Sequence, residues 1–166
     1  MNADDVMNYG HGTLMASLDA VDENLLETGG ACGYWSVKNL LAHLTSFEWL
    51  IVDTLAQITG ESTTPHLDAM FAQGDDFNDA QVNERADKSY NQQLTEYLTA
   101  HAKATALLAE IPLEKRREKG LVAWYGEDYD LEDIIVYMIY AHKREHCGQI
   151  DIFKDSVKQT ENLSLS

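Results

Sequence analysis

Residues 130–153, DLEDIIVYMIYAHKREHCGQIDIF, read as one amphipathic helix. Asp130 is a good N-cap, and Glu132 and Asp133 place negative charge at the positive end of the helix dipole. Leu131, Ile134, Ile135, Met138, His142, His146, Ile150 and Phe153 then recur with the helical period. That stripe is apolar except at His142 and His146. Residues at i and i+4 stack on one helix face, with a rise of about 1.5 Å per residue. Two imidazoles therefore look inward from adjacent turns.

Working outward, three more helices are predicted. The first runs from about Asp4 to Glu27 on Met7, His11, Leu14, Met15, Leu18, Val21, Leu25 and Leu26, with Gly29 and Gly30 as its stop. The second starts at Ser36 as N-cap and runs to about Thr59, where Gly60 closes it. The third spans about Lys88 to Glu110, ahead of Pro112. Between the second and third, residues 61–87 carry Pro65, Gly74 and the run Asp75-Asp76-Phe77-Asn78-Asp79, which allow only short helical turns. A connection this long serves as a lid or pocket wall, or else as a solvated crossover. Leu121 to Gly126 reads as an extended piece or a loop. The fold class is all-α: a four-helix bundle with a long connection between helices 2 and 3, occupying residues 1–157, with a polar C-terminal tail over 158–166. The long connection permits a crossover, so simple up-down-up-down order is not secured.

A length of 166 residues suits one domain. The net charge of −16 repels phosphate backbones and anionic lipid, so no nucleic acid and no membrane partner is expected. No apolar stretch reaches the length of a membrane span. Met1 to Asp5 lacks the basic and apolar regions of a signal peptide, which leads to the expectation of a cytoplasmic protein. Cys32 and Cys147 make no disulfide framework. Cys147 adjoins His146, but neighbours on a helix point about 100° apart. It is expected to be an inert thiol, and Cys32 a loop residue.

A third histidine, His43, lies at the edge of the buried stripe of the second helix, in Trp35-Ser36-Val37-Lys38-Asn39-Leu40-Leu41-Ala42-His43-Leu44. Buried without partners, an imidazole costs about 1–3 kcal/mol, and two adjacent imidazolium ions would also repel. A shared metal ion removes both problems. Three protein ligands leave coordination positions open, as in catalytic rather than structural sites. His43, His142 and His146 are therefore the candidate metal ligands, for zinc, nickel, iron(II) or cobalt. The plain alternative is three ordinary helix histidines. The string His142-Lys143-Arg144-Glu145-His146 also matches the inverted zinc-peptidase pattern H-x-x-E-H. That reading requires a further acidic ligand well downstream, and only twenty residues follow His146. His11 is a candidate for lining the same cavity. His66 and His101 carry no pattern and are expected to be exposed, as are Lys143 and Arg144. Trp124 and Tyr125 could wall an apolar pocket; Trp35 and Trp49 read as core.

Two stretches resemble the DinB/YfiT-like family of metal-dependent helical proteins. One is Trp35 to Leu44, similar to the family's opening of the second helix. The other is Tyr140-Ala141-His142-Lys143-Arg144-Glu145-His146-Cys147-Gly148-Gln149-Ile150, similar to its fourth-helix motif. Trp124 followed by Asp130-Leu131-Glu132-Asp133-Ile134 resembles the lead into that helix. The resemblance implies a four-helix bundle holding one divalent metal ion, nickel or zinc, on His43, His142 and His146, commonly as a homodimer. It also implies kinship with thiol-dependent enzymes, including mycothiol-dependent isomerases and bacillithiol or glutathione S-transferases. The expected function is a metal-dependent enzyme acting on a small-molecule substrate. In it the ion activates a low-molecular-weight thiol, or water, for attack on an electrophile. The alternatives are a non-enzymatic stress or resistance protein that binds a small molecule or metal, and a dimerisation module with incidental histidines. The acidity of the chain speaks against an anionic thiol such as bacillithiol.

Overall fold

The computed structural model describes the backbone of residues 2–164 and the side chains through Gln159. Helix α1 spans Ala3–Asp19 and starts on Asn2, whose Oδ1 accepts from Asp5 N at 2.9 Å. It ends earlier than its apolar stripe suggests. Asp19, Asp22 and Glu23 would place negative charge at the negative end of a longer helix. Leu25 and Leu26 still reach the core, through a 3₁₀ turn over Glu23–Leu25. The glycine-rich run that follows forms a hairpin rather than a plain loop. Strand β1, Gly29–Cys32, pairs antiparallel with β2, Trp35–Ser36, around Gly33 at φ 57°. Two residues separate Cys32 from its partner Trp35, and a turn that short calls for a left-handed residue.

Helix α2, Val37–Thr59, opens on a capping box in which Ser36 and Asn39 satisfy each other's backbone amides. Gly60, at φ 111°, closes it. The long connection holds α3, Pro65–Gln73, and α4, Phe77–Glu84. Buried Asp53 on α2 anchors it: its Oδ2 accepts from His66 N at 2.6 Å and Leu67 N at 3.2 Å, filling donors that the first turn of α3 leaves open. Helix α5, Tyr90–Glu110, opens on a second capping box, Ser89 with Gln92. After the short α6, Leu113–Arg116, buried Arg116 donates to the carbonyls of Leu108 and Ile111 and to Asp4. It ties the end of α5 to the start of α1.

The final rod begins with α7, Leu131–Ile134, capped by Asp130 with Asp133. It passes through a π-helical segment, Ile135–Ala141, and continues as α8, His142–Ser164. The expected tail is thus helical as far as it is described; residues 165 and 166 lie outside the described residues.

The four long helices bury two apolar clusters. At one end lie Val6, Met7, Ile51, Leu55, Ala104, Leu108, Leu131, Ile134 and Ile139. At the other lie Leu14, Leu18, Leu40, Leu44, Tyr97, Cys147, Ile150 and Phe153. Chain order through these clusters fixes direction. Helix α1 and the final rod run from the first cluster to the second, and α2 and α5 run the opposite way. The order is up-down-down-up, and the long connection between α2 and α5 is the crossover that makes those two helices parallel. The protein is an all-α bundle in which α2 packs on α5 and α1 on the final rod. Each helix changes from one cluster to the other at a polar residue: His11, Glu48, His101 and Lys143.

Candidate metal centre

His43 sits on α2 two turns beyond the Ser36 cap and is 3 % exposed. His142 opens α8 directly after the π-helical segment, and His146, 6 % exposed, follows one turn later. Segments of π-helix recur at functional sites. His142 Nε2 lies 2.8 Å from His43 Nε2 and 2.9 Å from His146 Nε2. Among the described residues, these three form the group of His, Cys, Asp or Glu side chains able to hold one metal ion, with ligand atoms within 4.8 Å of one another.

The outer nitrogens determine what the inner ones can do. Gln149 Oε1, an acceptor, lies 2.8 Å from His146 Nδ1, so Nδ1 carries the proton and Nε2 a lone pair. The Met138 carbonyl, one turn back, favours a proton on the His142 ring. With Nε2 facing the other histidines, that proton sits on Nδ1 and leaves a second inward lone pair. Two lone pairs 2.9 Å apart cannot hydrogen-bond to each other. A proton on His43 Nε2 relieves only one of the two close contacts, whereas a cation shared by all three nitrogens relieves both. His43 Nδ1 is buried without a hydrogen-bond partner. Packing orients that ring instead, with Trp35 and Phe47 each at 5.0 Å between ring centres.

Burial, with mutual repulsion second, pushes His43 down to about 3 and His142 down to about 4. Burial also lowers His146, partly opposed by the Gln149 hydrogen bond. All three are neutral at pH 7, the state in which imidazole binds a divalent ion.

Aromatic rings surround the group. Phe47 stands 4.3 Å from His142, and Phe77 of α4 stands 6.1 Å from Phe47. Trp124 and Met70 pack into the same satellite cluster as Phe47 and Phe77. The hairpin is tied to α4 alongside: Tyr34 Oη and Trp35 Nε1 both donate to Asp79 Oδ1, the latter at 3.2 Å. The connection over 61–87 and Trp124 thus form an apolar wall beside the histidines.

Several expectations are corrected. Lys143 is 2 % exposed, not solvated, and its Nζ contacts Glu48, itself wholly buried. The cause is mutual: neither charge could be buried without the other. His101 is buried too, and its Nδ1 lies 3.3 Å from Glu48 Oε2. His11 does not join the three histidines; it stacks on His101 at 4.2 Å and sits 3.3 Å from Tyr97 Oη. His66 is half-buried, stacked on Trp49 at 5.0 Å. Glu145, the glutamate of the H-x-x-E-H match, is exposed. Cys32 lies in β1 rather than in a loop, whereas Cys147 is the inert thiol expected, buried and pushed up by burial.

Comparison with protein families matches residues 4–159 to the model described as Mycothiol-S-transferase. The chain belongs to that family. The match covers every helix that builds the site, and the DinB-like resemblance of the two histidine motifs is borne out. Comparison with curated proteins and with solved structures returned no match. Glu48, His101 and Lys143 lie outside the predicted site, and each is a buried polar residue standing in the apolar stripe of its own helix.

Proposed function

We propose that the protein is a divalent-metal-dependent thiol S-transferase, with His43, His142 and His146 as the ligands of one zinc or nickel ion. The observation that carries this reading is the convergence of three neutral imidazoles with their Nε2 atoms 2.8 and 2.9 Å apart. Membership of a family described as Mycothiol-S-transferase supports a thiol co-substrate. A bound divalent ion would supply Lewis acidity, lowering the pKa of a thiol so that the thiolate is available at neutral pH.

The chain's own residues prepare the site. Gln149 and the Met138 carbonyl hold protons on the outer nitrogens of His146 and His142, so the inner nitrogens stay available. Phe47, Phe77 and Trp35 limit water around the rings and favour small, partly apolar electrophiles. The reaction joins thiol sulfur to the electrophilic carbon; the thiol proton and the leaving group depart together as the conjugate acid. A net charge of −16 disfavours an anionic thiol. The proposal includes a homodimer as the assembly and the cytoplasm as the compartment. No helix among the described residues is long and apolar enough to cross a membrane.

The test compares metal-loaded protein, chelated protein and His146→Ala with mycothiol and other thiols against a panel of electrophiles. Thiol consumption only in the loaded wild type supports the proposal. Equal rates in all three reject it. Turnover without thiol assigns hydrolysis instead, and tight small-molecule binding without turnover assigns sequestration.

A further inference from the structure

The three histidines hang from two helices, α2 and α8, and a buried ion pair joins those same helices. Glu48 follows His43 by five residues on α2, about 7.5 Å of rise. Lys143 is the residue after His142. Glu48 Oε1 meets Lys143 Nζ, and Glu48 Oε2 accepts from His101 Nδ1 at 3.3 Å. The Lys143 ammonium also lies 5.4 Å from the centre of the Tyr97 ring. Burial alone would push the Glu48 carboxyl up, but Lys143 and His101 outweigh it and hold it below the usual range. The carboxylate is therefore bound on both oxygens, by groups from α5 and α8.

Stability is a weak reason for such a pair. Desolvation consumes most of the Coulombic gain, and apolar replacements of equal volume are often neutral or better. What an ion pair provides and an apolar contact does not is direction. It fixes both the rotation and the slide of one helix against another. Here that matters, because the rod entering His142 is π-helical over Ile135–Ala141, where the helical phase departs from the regular one. Lys143 is the first residue after His142, so a bond through Lys143 sets the phase in which α8 presents both of its histidines.

We infer that Glu48 and Lys143 are positioning residues of the three-histidine site. Their ion pair pins α8 to α2 in the phase that brings His142 and His146 onto His43. The inference rests on those histidines binding one ion.

The experiment uses the metal-free full-length protein with cobalt(II) as probe. It reads affinity and the visible absorption of the bound ion, alongside the denaturant midpoint. The variants are Glu48→Gln, Lys143→Met, the double Glu48→Leu/Lys143→Met, and Glu48→Asp, which keeps the charge but shortens its reach. Each single neutralisation leaves one buried charge unpaired and is expected to lower both stability and affinity. The double variant decides: stability is expected to recover, while cobalt(II) affinity stays about 10- to 100-fold below wild type with an altered spectrum. Wild-type affinity and spectrum in the double variant would overturn the inference and leave charge balance as the pair's only role. Should the double variant not fold, Glu48→Asp serves instead, with weakened binding expected and unchanged binding overturning the inference. Failure of the wild type itself to bind cobalt(II) is a different outcome, since it removes the histidine site and this inference with it.

Discussion

His146 donates from Nδ1 to Gln149 Oε1 at 2.8 Å, and that bond leaves Nε2 as the ring's inward nitrogen. The partner is local, one turn along α8, so the tautomer is set by the same helix that carries the ligand. Replacing Gln149 by Ala removes the acceptor without touching a ligand. Affinity for zinc or cobalt(II) should fall about 10- to 100-fold, with the helical circular dichroism unchanged. Titration calorimetry on wild type and variant checks this, and equal affinities would remove the role assigned to Gln149.

The metal-free protein should be acid-sensitive in a defined window. In the folded state His43 is lowered to about 3 and His142 to about 4, chiefly by burial. In the unfolded chain both titrate near about 6.5. Above that pH neither state takes up protons at these residues, and their neutral burial costs nothing extra. As pH falls from about 6.5 towards about 3, the unfolded chain binds protons first, so stability declines throughout. Melting curves of the metal-free protein between about pH 8 and pH 4 should show the drop. Added zinc should raise the melting temperature at neutral pH, and this increment should shrink on acidification. A chelator effect of equal size at both ends of the range would exclude the linkage.

Ser36 starts the helix that carries His43. Its hydroxyl accepts from Asn39 N at 3.2 Å, and the Asn39 side chain accepts from Ser36 N at 2.9 Å. Ser36→Ala should cost about 1 kcal/mol of stability, read as a lower denaturant midpoint with an unchanged slope. An unchanged midpoint would show that the cap contributes nothing at this position.

Much of this was legible in the sequence, for identifiable reasons. Ser36, Gly60 and Asp130 marked helix ends correctly because capping is local chemistry. His142 and His146 were legible because a four-residue spacing maps directly onto a helix face. The early end of α1 was not, since Leu25 and Leu26 keep the apolar period while leaving the helix for a 3₁₀ turn. Periodicity reports burial there, not helicity. The hairpin at Gly29 to Ser36 was missed because its strands are too short to show alternation. Lys143 and His101 were expected in solvent because each was read alone. Placed in their helices, both stand where the apolar stripe should continue: His101 between Tyr97 and Ala104, and Lys143 between Ile139 and Cys147. Glu48 stands likewise between Leu44 and Ile51. Three polar interruptions of three stripes are a signal that they meet, but only the topology tells which faces which.

The central claim is that His43, His142 and His146 hold one divalent ion. Elemental analysis of protein purified without a metal-affinity tag tests it most directly, run on wild type and on His142→Ala. The prediction is close to one divalent ion per chain in the wild type and none in the variant, with the same helical circular dichroism in both. Full metal retention by His142→Ala, or a wild type that stays empty under saturating zinc, nickel and cobalt, would contradict it.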